Sequence, residues 1–416
     1  MGNEARRAAE RSARQSYGKL VAYLASRSRD VPAAEDALSD ALASALRVWP
    51  ERGVPDNPDA WLLVAARRNL FREARHRNVQ TAARGVIQIA MEEAEERMNR
   101  ASSTDDIFPD ERLKLLFACT HPAIEPAMHA PLMLQTVLGI EARNIASSFL
   151  VSPEAMGQRL VRAKAKIRDA GIPFTIPDRS ILSDRLSGVL AAIYAAYGLG
   201  WDGLDGSDNV RNDLTEEAIW LVRALLSILP GDPEVIGLLA LTLYCEARRN
   251  ARRDADGNYV PLEGQDVSRW NEAMNVEADR LLRQAGAIDR FGPFQCQAAI
   301  QAVHAARRLT GETDWPALET LYAALIEMRP TVGAFVSHAA VLGRTRGPQI
   351  GLACLDRLDP ADVGSYQPYW AVRAHLLCRG GRLEDAIAAY DIAIGLSESP
   401  ALRRFLEQRQ GDVRRQ

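Results

Sequence analysis

The sequence predicts an all-α protein, on three observations. Alanine and leucine recur at spacings of three and four along most of the 416 residues, aromatic residues make up only 6%, and strict two-residue alternation is scarce. With 47% hydrophobic and 25% charged residues, a chain of this length builds two or three packed domains and is not a disordered tail. Lys and Arg total 51 against 54 for Asp and Glu, so the net charge of −3 excludes a generic polyanion binder and shifts attention to local segregation of charge. Five scattered cysteines (Cys119, Cys245, Cys296, Cys354 and Cys378) form no CxxC pair, which argues for a reducing compartment and against a disulfide framework or zinc ribbon. MGNEARRAAERSARQSYGKL lacks the apolar run of a signal peptide, and no window approaches the ~20 apolar residues of a membrane span. A cytoplasmic protein without a membrane partner is expected.

Three helices are predicted first, at about residues 4–28, 32–49 and 58–77, separated by Asp30-Val31-Pro32 and by PERGVPDNPD. The second places Ala37, Leu38, Ala41, Leu42, Ala45, Leu46 and Trp49 on one stripe and leaves Glu35, Asp36 and Asp40 off it, as an acidic face. In the third, Trp61, Leu62, Val64, Ala65 and Leu70 form the apolar set. It then turns basic through Arg67, Arg68, Arg72, Arg75, His76 and Arg77, offset only by Glu73. Residues 78–108 lose the pattern and carry Glu92, Glu93, Glu95 and Glu96, which reads as an acidic linker.

A new helical block starts near Asp110 and is broken by Pro122, Pro126 and Gly139. Then EARNIASSF and SPEAMGQRLVRAKAKIRDAG, joined by a break at Leu150 and Val151, make a helix-turn-helix candidate. Ser152 is placed to cap the second helix, Pro153 sits at the favoured first position, and Gly171 ends it. From about residue 183 the chain is helical to its end, apart from the loop or small hairpin ARRDADGNYVPLEGQD. Trp370, Ala374, Leu377, Ala386, Tyr390 and Ala393 fall where a tetratricopeptide hairpin puts its packing residues, and Leu321, Ala324 and Pro330 look like the end of another such unit.

Three motifs in order, AEDALSDALASALRVW, NPDAWLLVAARRNLFREARHR and IASSFLVSPEAMGQRLVRAKAKIRDA, resemble domains 2 and 4 of bacterial extracytoplasmic-function sigma factors. The remainder, with IYAAYGLGWDG, LLALTLYCEARR and QDVSRW, resembles the helical extension fused to one subgroup of them. The resemblance implies sigma domain 2 over 1–80, a linker over 81–108, sigma domain 4 over 109–172 and a tetratricopeptide-like regulatory extension over 183–416. It implies core RNA polymerase, through the β′ clamp helices and the β flap, and promoter DNA as partners, with the extension contacting the sigma portion within the chain.

The residues carry this reading in the following way. Arg67, Arg68, Arg72, Arg75 and Arg77 recur every few positions, so several share a face that can neutralise successive phosphates. The blander alternative is a solvated basic helix end favoured by the helix dipole. By resemblance this helix meets the minus-10 element, and Asp56 and Asn57 in the preceding loop are the polar candidates for holding a flipped base. In the later helix, Met156, Leu160, Ala163 and Ile167 can pack beneath. Glu154, Gln158 and Arg159 would then read bases at the minus-35 element, while Arg162, Lys164, Lys166 and Arg168 would contact backbone. Ala155, Met156 and Gly157 depart from the residues usual in the family, so base preference does not carry over. By resemblance Glu35, Asp36 and Asp40 dock on the polymerase clamp, although a plain solubilising role suits the same residues.

Other features point to no chemistry. Cys119 and His121 are two ligands without partners at zinc spacing, and a buried thiol is the simpler reading. Asp254, Asp256 and Asn258 put Gly257 in the wrong place for a calcium loop and read as a turn. No nucleophile elbow, phosphate loop or HExxH helix is present, so no catalytic residue, metal or cofactor is expected. Two other function classes compete with a sigma factor: a conventional helix-turn-helix regulator with a helical-repeat sensor, and a protein-interaction scaffold. The first domain separates them, since a classical regulator has no use for an acidic docking helix followed by a basic one.

Overall fold

The computed structural model describes residues 2–77, 111–149, 151–177, 179–201 and 208–415. Within them the protein is all-α, as the spacing predicts. The one β contact among the described residues is an isolated antiparallel bridge between Arg253 and Tyr259. The chain forms two compact units, 1–200 with 212–218 and 201–211 with 219–416.

The first unit is built from α1 (Gly2–Gln15), α2 (Tyr17–Ser28), α3 (Val31–Arg52), α4 (Pro58–Arg77), α5 (Arg112–Cys119), α6 (Pro126–Thr136), α7 (Ala142–Ser148), α8 (Pro153–Asp169) and α9 (Arg179–Trp201). The single helix expected over 4–28 is two, because the chain breaks at Ser16, whose hydroxyl donates to the Asp59 carboxylate at the start of α4. That break turns α2 into the centre of the unit, where each residue from Leu20 to Ala25 is at most 1% exposed. α2 packs against α3 and α4 and also against α5 and α6, so residues before and after the 78–110 segment share one core. Gly18 permits this crossing: a Cβ there would lie 1.7 Å from the Val137 carbonyl oxygen.

α3 starts at Asp30, whose carboxylate accepts the Ala33 N–H at 3.1 Å, and ends at Gly53 with φ +86°. Its buried arc is Ala34, Ala37, Leu38, Ala41, Ala45 and Trp49, while Leu46, expected on the stripe, is 49% exposed. Small alanines let α3 approach its neighbours closely, which narrows the arc and leaves Leu46 outside it. α4 is likewise rotated from expectation: Leu62, Leu63 and Ala66 are buried, and Val64 faces solvent.

α10 (Asp208–Ile228) contributes to both units. The second unit continues with α11 (Pro233–Ala247), α12 (Glu272–Gly286), α13 (Pro293–Thr310), α14 (Trp315–Met328), α15 (Val332–Thr345), α16 (Pro348–Leu355), α17 (Pro360–Val363), α18 (Gln367–Arg379), α19 (Leu383–Gly395) and α20 (Pro400–Arg414). A cap followed by proline starts several of these helices, as at Asp232-Pro233, Asp359-Pro360 and Ser399-Pro400. The α18–α19 hairpin interleaves Ala374, Leu377, Ala386, Tyr390 and Ala393 in one cluster, with Trp370 at its edge. Leu225, Leu239 and Leu243 are buried, while Trp220 is 39% exposed. No described helix is long and apolar enough to cross a membrane.

Candidate nucleic-acid interface

α8 is the best-defined of the sequence-derived candidates. The Ser152 hydroxyl accepts the Ala155 N–H at 3.2 Å, and Gly171, at φ +60°, ends the helical run. Met156, Leu160, Ala163 and Ile167 are buried, and α8 packs closely on α7. Glu154, Gln158, Arg159, Arg162, Lys166 and Arg168 are exposed along the other side. A polar face on a helix seated on a second short helix can meet a base edge or a phosphate without rearranging its own core.

Two candidates do not belong to the surfaces assigned to them. Lys164 is buried, and its Nζ lies 2.6 Å from Glu35 Oε2 on α3, with 10% and 15% of the two side chains exposed. Lys164 is therefore no phosphate contact, and Glu35 is no part of an outer acidic face. The buried arc of α8 spans positions 156, 160, 163, 164 and 167, a stripe wide enough to take in the lysine. Burial raises the Glu35 carboxyl above the usual range, and Lys164 opposes that shift. Its second oxygen, Oε1, is buried without a hydrogen-bond partner among the described residues. Nearby, burial pushes the Cys119 thiol up to about 12, and its sulfur lies 3.5 Å from the Thr136 hydroxyl. Cys119 is the inert buried thiol that its sequence context suggests.

The remaining acidic residues of α3, Asp36 and Asp40, are exposed. Asp40 faces Arg72 of α4 at 3.9 Å, an exposed pair of little energetic weight. Arg68 and Arg72 are exposed and Arg67 is half-buried. Arg75 and Arg77 lie in the last turn of α4, and their side chains fall outside the described residues, as do Glu92, Glu93, Glu95 and Glu96. In the loop between α3 and α4, Asn57 Oδ1 accepts the Ala60 N–H at 2.9 Å and so caps α4, while Asp56 is exposed. Sequence reasoning missed what fixes this loop: Trp49 and Trp61, one at each end, meet edge to face with centroids 5.5 Å apart. It also missed Asn69, whose Nδ2 donates to the Ala37 carbonyl and ties α4 to α3.

In the second unit, Arg248, Arg249 and Arg252 surround the Trp201 ring, their guanidinium carbons 5.0, 5.3 and 4.0 Å from its centroid. The Asp254 carboxylate accepts the N–H groups of Asp256 and Asn258, with Gly257 at φ +78°, so DADGN is a turn. Among the described residues no group of three or more His, Cys, Asp or Glu is placed to hold a metal ion.

The fold and these sites define an all-helical protein whose first unit presents a short helix pair with a polar, mostly basic outer face. A protein of Rhizobium meliloti (strain 1021), itself uncharacterized, is 36% identical over 397 residues, which cover 94% of this chain and 92% of the relative. The chain belongs to the same family as that protein. Residues 185–286, from α9 to α12, match a family of unknown function, DUF6596. No solved structure matches the chain.

Proposed function

We propose that the protein is a sigma-type promoter-recognition subunit of bacterial RNA polymerase, modulated by its carboxyl-terminal helical unit. The observation that carries this reading is the α7–α8 pair, with Glu154, Gln158 and Arg159 exposed at the amino-terminal half of a helix whose underside is buried. In this reading those three residues meet base edges, and Arg162, Lys166 and Arg168 hold phosphates. α4 supplies a second basic surface through Arg68 and Arg72, followed by Arg75 and Arg77 in sequence. Asp36 and Asp40, without Glu35, are the residues left to dock on polymerase.

A helix-turn-helix regulator would use α7 and α8 in the same way, and the loss of Glu35 from the acidic face favours that second reading. Run-off transcription with core polymerase and genomic fragments separates the two. A sigma factor directs initiation from discrete start sites with core enzyme alone. A protein that binds the fragments but yields no transcript with core enzyme is a regulator.

A further inference from the structure

The arginines of the second unit include two contrasting sets. One set is matched to carboxylates: Arg308 to Glu272 and Asp279 at 3.2 and 2.5 Å, Arg373 to Asp356 at 2.5 Å, Arg382 to Asp385 at 2.7 Å and Arg415 to Asp412 at 2.6 Å. The other set, Arg307, Arg344, Arg379 and Arg409, has no carboxylate at ion-pair distance among the described residues. These four come from α13, α15, α18 and α20; Arg307 touches the loop that follows α11 directly and Arg409 reaches it through Phe405, while Arg379 and Arg344 meet at Gly343.

Arg307 grips that loop by its backbone, donating to the carbonyls of Glu263 at 2.8 Å and of Leu262 and Gln265 at 3.0 Å each. Tyr259 of the same loop meets Phe405 edge to face at 5.4 Å, and Arg409 lies over the Phe405 ring at 5.8 Å. Arg379 donates to the Gly343 carbonyl at 3.1 Å, which sets it beside Arg344, itself 5.2 Å above the Trp315 ring. His375, one turn before Arg379, feels Arg379, Arg409 and Arg344 together, and Glu263 is the one acid that acts on it. Arg344, Arg379 and Arg409 are exposed. Three exposed guanidinium groups without a carboxylate at ion-pair distance among the described residues thus act together on His375, in a protein whose net charge is −3.

We propose that this face binds an acidic peptide segment supplied by a partner protein. Within the chain one arginine already holds peptide backbone at this face: Arg307 donates to the carbonyls of Leu262 and Glu263, in a one-turn 3-10 helix, and to that of Gln265 just after it. The excess of guanidinium over carboxylate leaves room for further acidic side chains, and charge complementarity of this kind sets both specificity and association rate. Single-stranded nucleic acid fits less well. It uses open aromatic faces as stacking platforms, whereas Trp315, Phe405 and Trp270 each already carry an arginine over the ring.

The test uses the full-length chain and fluorescein-labelled octaglutamate, with octalysine and a single-stranded oligodeoxynucleotide of equal length as competitors, read by fluorescence polarisation. Octaglutamate is expected to bind, and the Arg344→Ala/Arg379→Ala/Arg409→Ala triple to weaken it about ten-fold or more. The Arg223→Ala/Arg382→Ala/Arg415→Ala triple removes the same charge from carboxylate-paired sites, Arg223 facing Glu277 at 2.8 Å, and should stay within about two-fold. Circular dichroism checks both folds, and Arg409→Glu alone serves if the first triple does not fold. Absence of octaglutamate binding overturns the proposal, and so do equal losses in the two triples. An oligodeoxynucleotide that binds more tightly and is lost in the first triple would replace the peptide with nucleic acid.

Discussion

Lys164 and Arg344 are both helix cations within four residues of another basic side chain, and they differ in what faces them. Lys164 is buried against Glu35, while Arg344 is exposed above Trp315 with no carboxylate at ion-pair distance among the described residues. The first is committed to holding α8 on α3, and the second is available to a partner. Spacing along a helix says that a residue is charged and roughly which way it leaves the axis. What stands opposite is decided by residues far away in sequence, and that decides whether the charge is structural or functional.

The contrast is broken most forcefully at Lys164. Lys164→Met should cost the first unit about 3–5 kcal/mol, because it strands a buried carboxylate. The double variant Glu35→Leu/Lys164→Met should recover most of that loss or exceed the parent, since an apolar pair needs no desolvation. Urea unfolding followed by circular dichroism at 222 nm on the full chain measures both. Burial already raises the Glu35 carboxyl, so ionised Glu35 contributes less as pH rises through its elevated value. The deficit of Lys164→Met should accordingly shrink on acidification. A Lys164→Met variant as stable as the parent would falsify the structural assignment.

The packing of the first unit can also be tested without charge. Gly18→Ala drives a Cβ onto the backbone oxygen of Val137, and overpacking against backbone costs typically about 1–3 kcal/mol. Gly157→Ala, with open space around it, should stabilise α8 by about 0.5–1 kcal/mol through helix propensity. If the two glycine variants behave alike, α2 and α6 do not cross as described.

On the DNA side the comparison runs between neighbours on α8. Arg159→Ala should cost about 1–3 kcal/mol at a preferred promoter and less elsewhere. Lys166→Ala should weaken all sequences alike and reduce the salt slope by about one. A uniform loss at Arg159 would make it another phosphate contact. Binding is measured on matched and scrambled fragments at several salt concentrations.

How much of this could be read from the chain alone differs by element. α8 was legible because its signals are local: Ser152 and Pro153 start it, Gly171 stops it, and Met156, Leu160, Ala163 and Ile167 repeat at helical spacing. The Trp49–Trp61 contact was half-legible, since two tryptophans bracket one short loop. The Glu35–Lys164 pair was not, because it joins residues 129 positions apart and each looks like an ordinary surface charge beside others of its sign. Alanine-rich packing also hid the register of α3 and α4, where contact faces carry small residues and a leucine or valine lies just outside.

In the second unit pH acts with the opposite sign from Glu35. Burial, with Arg248 and Arg307 nearby, pushes the His304 imidazole from its ordinary 6.5 down to about 4. Unfolded chain therefore binds a proton that folded chain refuses, and stability contributed by neutral His304 is lost as pH falls from 6.5 through about 4. His304→Gln should flatten the unfolding free energy of this unit across that window and leave it unchanged above pH 7. A slope identical to the parent would place the imidazole in solvent.

The smallest effect expected is the one that completes the contrast with Lys164. Arg344→Ala removes a cation from an exposed position over an aromatic ring, an arrangement worth about 0.5–1 kcal/mol at most. It also removes repulsion from Arg379 and Arg409, the cations that act with it on His375. These two terms oppose each other, so the net change in unfolding free energy should fall within about 0.5 kcal/mol. A loss approaching that of Lys164→Met would mean that Arg344 is also a structural charge, matched by a carboxylate in solution. The distinction between committed and available cations would then fail at the residue that best represents it.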